Sequence, residues 1–305
     1  RDHEPSRVAG VGPGELWAVM LDTRATFDDL VRTHSKDPAQ AEQILANRFY
    51  RNLSGALSGT QEYMAAEKLH QLHHDDRFDL VVVDTPPTRN ALDFLDAPGR
   101  LVHFLDHRLY RLLVTPTRIG MRVASAAAQP FIKTLSKVVG GEAIAEAIGF
   151  FQAFDGMEGG FKQRAADVIR LLDGTETGYV LITSPRREAV DEATFFARRL
   201  TEHGLSVSAV IANRVHPTFL RGEAPTLAPD DRYDPTTPVG RLAQNLSLLE
   251  HLAAGEHRAL EPLRSSALGA IEASVPLLEH DVHDLETLDE VASCLLGLRS
   301  DGPLG

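Results

Sequence analysis

The chain reads as an α/β protein, a mostly parallel, doubly wound sheet in three layers with a helical subdomain inserted into it. Three observations predict this. Short apolar runs such as Tyr179–Thr183 and Val207–Ala212 alternate with helical periodicity, the pattern of βαβ units. Residues 78–84 (Phe-Asp-Leu-Val-Val-Val-Asp) form an apolar run closed by one acid and a proline turn, which suits a strand buried on both faces. From Asn90 to about Leu172, in contrast, there is no strand pattern.

Taken in order, residues 1–15 are polar, rich in glycine and proline, and read as loop. Leu16–Asp22 reads as a buried strand. Phe27, Leu30 and Val31 then give helical spacing, and a helical stretch continues to about Asn47. Ser58-Gly59-Thr60 marks a helix start with Thr60 as N-cap. That helix runs from Gln61 to His73 and leads into the strand at 78–84. The long helical stretch after Asn90 is expected to break at Pro98-Gly99, Thr115-Pro116, Gly140-Gly141 and Gly159-Gly160. It is far longer than one crossover between parallel strands requires. Alternation resumes with a strand at Tyr179–Thr183 and a helix to about His203. A strand at Val207–Ala212 follows, ending in Asn213-Arg214, then an irregular loop at 215–238. A helix over Val239–Leu263, a short strand at Ser274–Leu278 and a helix at Asp284–Leu298 complete the chain. The expected division is 1–95 for the first part of the α/β core, 96–172 for the helical subdomain and 173–305 for the second part of the core.

A chain of 305 residues can bury a large core. Its 31 basic and 43 acidic residues leave a charge of −12, which argues against nucleic acid or an anionic membrane surface as the main partner. The single cysteine, Cys294, lies in an apolar helical pattern and excludes an internal disulfide or a Cys-x-x-Cys clamp. A reducing, cytoplasmic compartment is the expectation. No run reaches the roughly 18 apolar residues of a membrane span. The chain opens without methionine, so targeting information can lie upstream.

Open α/β sheets bind ligands at the carboxyl ends of their strands, and three strand ends stand out. Asp84 ends the first, where an acid commonly holds a magnesium–water shell beside a nucleotide γ-phosphate. A core strand stopping at a polar turn is the plain alternative. Thr183-Ser184-Pro185 ends the second. Asn213-Arg214 ends the third; an asparagine amide can donate to and accept from an adenine edge, or simply serve a turn. The loop after the last strand would bring Pro276, Leu277 and Leu278 to the same edge, beside a flat purine face. His103 and His107 read as structural or surface residues, and His280 with His283 as a solvated turn. None of the five lysines follows a glycine, so the glycine–lysine cradle of a phosphate loop is not in this sequence.

The run Val83-Asp84-Thr85-Pro86-Pro87-Thr88, continuing Arg89-Asn90-Ala91-Leu92-Asp93-Phe94-Leu95, resembles the switch II segment of the ArsA/GET family of P-loop ATPases. Asn213-Arg214 resembles that family's adenine-reading asparagine, and Val275-Pro276-Leu277-Leu278 its C-terminal adenine loop. The resemblance implies an ATPase using ATP and Mg, with Asp84 as the catalytic carboxylate that positions the magnesium through water. It makes Thr85, Pro86, Pro87 and Thr88 a moving switch II, and Asn213, Arg214, Pro276, Leu277 and Leu278 nucleotide contacts. It also implies a homodimer or a heterodimer with a paralogue, and a hydrophobic protein client or membrane partner at the helical insertion. The family's Lys-Gly-Gly-x-Gly-Lys loop and switch I normally precede the strand resembling Leu16–Asp22. The expectation is a chain truncated before Arg1, inactive on its own. The absent cysteine cluster speaks against an arsenite role. The alternative is a non-catalytic client-binding or scaffold subunit paired with an active paralogue.

Overall fold

The computed structural model describes residues 3–10, 12, 14–51, 60–85, 90–108, 141–218 and 234–297. The chain divides into two compact units, Arg1–Gly174 and Thr175–Gly305.

The first unit is helical among its described residues, apart from a small ribbon. Strands β1 (Ser6–Arg7) and β2 (Trp17–Ala18) pair antiparallel. Helices α1 (Thr23–His34) and α2 (Pro38–Ala46) are both opened by aspartates. Asp22 accepts from the Ala25 amide at 2.9 Å and Asp37 from the Gln40 amide at 2.8 Å, which satisfies amides that a helix start leaves unpaired. Helices α3 (Thr60–His73), α4 (Asn90–Asp106), α5 (Gly141–Ala153) and α6 (Glu158–Asp173) complete the unit. Their core is a cluster of Leu30, Val31, Ile44, Met64 and Met157 around the rings of Phe27, Tyr50, Phe150, Phe154 and Phe161.

Several expectations are corrected here. Leu16–Asp22 is not a buried strand: only Trp17 and Ala18 pair, and they pair with Ser6–Arg7. The strand expected at residues 78–84 does not form, and Leu80 is 79% and Val82 80% exposed. A strand exists only by pairing with at least one neighbour, and among the described residues none pairs with this run. The helix start expected at Ser58-Gly59 and the break at Thr115-Pro116 lie outside the described residues. Pro98-Gly99 does not break α4, which runs through Pro98. Gly159-Gly160 lies in the first turn of α6. Gly160 serves close packing there, because a Cβ on it would come within 2.8 Å of the His34 ring.

A buried polar network joins two of these helices. Glu67 on α3 is 0% exposed. It accepts from Arg164 Nε on α6 at 2.7 Å and from the Tyr63 hydroxyl at 2.5 Å. Burial, and then the Glu67 carboxylate, push the Tyr63 phenol far above its ordinary range. His34 on α1 packs against Phe161 at 5.5 Å in the field of the same pair. Burial first, and then Arg164, hold its imidazole below the ordinary value of 6.5, with Glu67 partly opposing them. The unfolded chain therefore binds more protons below that value, and stability rises with pH across the window. The His34 contribution is full above about 6.5 and is lost as pH falls below it. Melting temperature is expected to drop on going from neutral to mildly acidic pH, and His34→Gln to flatten the profile. Equal slopes for the two proteins would refute this assignment.

The second unit carries a parallel three-stranded sheet in the order β3 (Tyr179–Thr183), β4 (Val207–Val215), β5 (Ile271–Pro276). Helices α7 (Arg187–Glu202), α8 (Pro238–Ser266) and α9 (Leu285–Leu295) connect or follow the strands. The alternation of β3 and β4 sends Leu181, Thr183, Val210 and Ala212 to a buried face. Helices α7 and α8 pack on each other and on those strands. Opposite them, Ile182 is 67% exposed. Thr237 caps α8 and Pro238 opens it. Gly240 is required in its first turn, since any Cβ there would run into the Asp234 backbone. The last strand starts three residues earlier than expected and ends two earlier, at Pro276, so Leu277 and Leu278 belong to the loop beyond it.

Candidate functional site

The carboxyl ends of β4 and β5 form one geometric feature. Asn213 pairs with Val275 and Val215 with Pro276, and the register slips between Asn213 and Val215. Arg214 is the extra residue of this bulge. Its φ of 61° makes it the one non-glycine residue with positive φ among those described. Strict alternation after Val210 and Ala212 would turn Arg214 into the buried face. The bulge instead expels it to solvent and gives the buried place to Val215. The left-handed backbone costs about 1–2 kcal/mol, and such strain gathers at ligand clamps and active sites. The Leu277 amide donates to the Val215 carbonyl at 2.8 Å, which fixes the loop after β5 against the bulge. Asn213, Arg214, Pro276 and Leu277 thus share one sheet edge, with Asn213, Arg214 and Leu277 exposed and Pro276 and Leu278 partly so.

A residue pair that sequence reasoning missed holds this edge. Glu256 on α8 accepts from the His216 amide at 2.7 Å, and its other oxygen lies 2.7 Å from His216 Nδ1. Both contacts fasten the chain two residues after the bulge. Glu256 falls seven residues before Leu263 and four before Leu260 on the buried stripe of α8. An acid in an apolar stripe was the available signal.

In the first unit, Asp84 and Thr85 are exposed at the end of the unpaired run. Pro86, Pro87 and Thr88 lie outside the described residues. An exposed carboxylate fits a magnesium ion held through water, because Mg²⁺ keeps several waters and takes few protein ligands beside phosphate oxygens. Among the described residues no three His, Cys, Asp or Glu side chains converge as a metal cage. The amide of Asn213 and the apolar surfaces of Pro276 and Leu277 fit a purine. No glycine–lysine loop is present for the phosphates. His103 and His107 stand 6.4 Å apart at the end of α4. His280 lies 3.0 Å from Glu290 and His283 3.6 Å from Asp284, in solvent-exposed positions.

A mixed α/β chain with a parallel sheet and many helices has the architecture of P-loop-type ATPases. The family model for anion-transporting ATPases (ArsA ATPase) matches residues 2–225. The chain belongs to that family of ATPases. The match spans Asp84, the run through Thr88, and Asn213-Arg214; Pro276–Leu278 fall beyond it. Among the described residues, no helix is long and apolar enough to cross a membrane.

Proposed function

We propose that this chain is an ATP-binding, ATP-hydrolysing switch protein that couples nucleotide state to movement of its helical subdomain, residues 96–172. The observation that carries this reading is the strained bulge at Asn213-Arg214, set at a sheet edge in a chain of an ATPase family. Asn213 reads the adenine edge, while Pro276, Leu277 and Leu278 form the apolar wall beside it. Arg214 lies at the same edge as a cation for the nucleotide. Asp84 holds the magnesium shell through water, and Thr85–Thr88 are the switch II residues. When bound, Mg-ATP supplies the phosphoryl group and the metal that neutralises its charge. The protein works as a dimer in the cytoplasm and offers its helical subdomain to a hydrophobic client. The core comprises 1–95 and 173–305. A non-catalytic client-binding or scaffold subunit paired with an active paralogue is the second reading.

Binding of ATP and GTP to the 305-residue chain tests the base-reading edge. ATP is expected to bind about tenfold more tightly than GTP, and Asn213→Ala to erase most of that preference, a loss on the order of 1.4 kcal/mol. Equal binding of the two nucleotides, or an unchanged preference in the variant, would overturn the assignment. Binding to neither would favour the scaffold.

A further inference from the structure

Helix α3 ends in a histidine-rich turn, His70-Gln71-Leu72-His73-His74, that the nucleotide chemistry does not use. His70 and His74 are four residues apart, the spacing that places side chains over one another on a helix face. Their ring centres lie 4.3 Å apart with the planes tilted by 31°. His74 stands one residue past the end of α3, yet its ring is anchored, with Nδ1 2.9 Å from the His70 carbonyl oxygen. A carbonyl can only accept, so Nδ1 carries the proton and donates it. Nε2 of His74 is left with its lone pair free. Metal-binding imidazoles are commonly oriented in this way, one nitrogen donating to a carbonyl and the other facing the ion. The ring of His70 makes no hydrogen bond among the described residues.

The neighbouring groups are otherwise engaged. Both carboxylate oxygens of Asp75 clasp Arg77, at 2.6–3.0 Å. His73 meets His74 edge-on, at 5.1 Å and 86°. His103 and His107 share the same sequence spacing but stand 6.4 Å apart at 62°.

We propose that His70 and His74 form a two-imidazole site for a divalent transition cation of the Zn²⁺ or Cu²⁺ class, with water completing its coordination. Neutral nitrogen ligands select such ions over Mg²⁺, which takes oxygen ligands. Bound there, the ion bridges the last turn of α3, directly ahead of the run that ends in Asp84.

Isothermal titration of the 305-residue chain with Zn²⁺ alone tests the site. His70→Gln and His74→Gln are each expected to weaken the tightest Zn²⁺ binding by about tenfold or more. His73→Gln is expected to leave it within about twofold, and excess Mg²⁺ is expected not to displace the ion. Diethyl pyrocarbonate footprinting of the unmutated chain gives a second readout that does not depend on a variant folding. Zn²⁺ should shield His70 and His74 from modification while His73 and His103 stay reactive. Wild-type affinity in either His70→Gln or His74→Gln, or shielding that spares these two residues, would overturn the proposal.

Discussion

Replacing Arg164 with methionine is expected to cost the chain about 3–5 kcal/mol of stability, read from denaturant unfolding. The magnitude follows from what remains behind. Glu67 is fully buried, and its carboxylate draws on Arg164 Nε and the Tyr63 hydroxyl. Methionine fills the volume but leaves that carboxylate one hydrogen bond from the Tyr63 hydroxyl and no counter-charge. Removing both charged ends is a different experiment. A Glu67→Met, Arg164→Met pair is expected to recover most of the loss, because apolar replacement of a whole buried pair is often neutral or better. The two residues would then show strong coupling in a double-mutant cycle. A single-variant loss below about 1 kcal/mol would mean that water reaches Glu67 and that the network is not the tie between α3 and α6.

Asp84→Asn is expected to lower magnesium-dependent ATP turnover by about a hundredfold, equivalent to about 2.7 kcal/mol of barrier, in a polypeptide carrying a glycine–lysine loop ahead of these residues. Asparagine keeps the size of the side chain and removes the charge that orders the magnesium shell. Without such a loop the phosphates lose most of their electrostatic cradle, so the 305 residues alone are expected to hydrolyse ATP at the background rate. Phosphate release from matched proteins, with and without Mg²⁺, measures both statements. Full activity in Asp84→Asn would remove Asp84 from the chemistry. Magnesium-dependent turnover by the 305 residues, abolished in Asp84→Ala, would show that the missing loop is dispensable.

The second unit was largely legible in the sequence. Tyr179–Thr183 is a strand over the residues expected. The helices that follow lie within a few residues of their periodic patterns, and Thr237 and Asp284 cap two of them as polar residues at helix starts do. The strand signals of the first unit misled, because an apolar run reports burial in a sheet only if neighbouring strands exist to pair with it. Leu80 and Val82 are apolar, but no ladder among the described residues takes them in. At the candidate site, the place of Asn213 near the end of a strand was legible from the apolar run before it. The bulge could not, since nothing in Asn-Arg-Val announces which residue will leave the register. The Glu67–Arg164 contact was equally hidden, because it joins residues 97 positions apart, and periodicity records only local order.

The margin of β3 that no described strand covers has a practical side for anyone handling this chain. Its ladder stops there among the described residues, while Val180 and Ile182 present greasy side chains to water on one face. Such a margin invites another copy to lay a strand alongside. Concentrating the purified chain would then produce filaments or amorphous precipitate well before any thermal transition, and a lysine at position 182 is the smallest change that would discourage it.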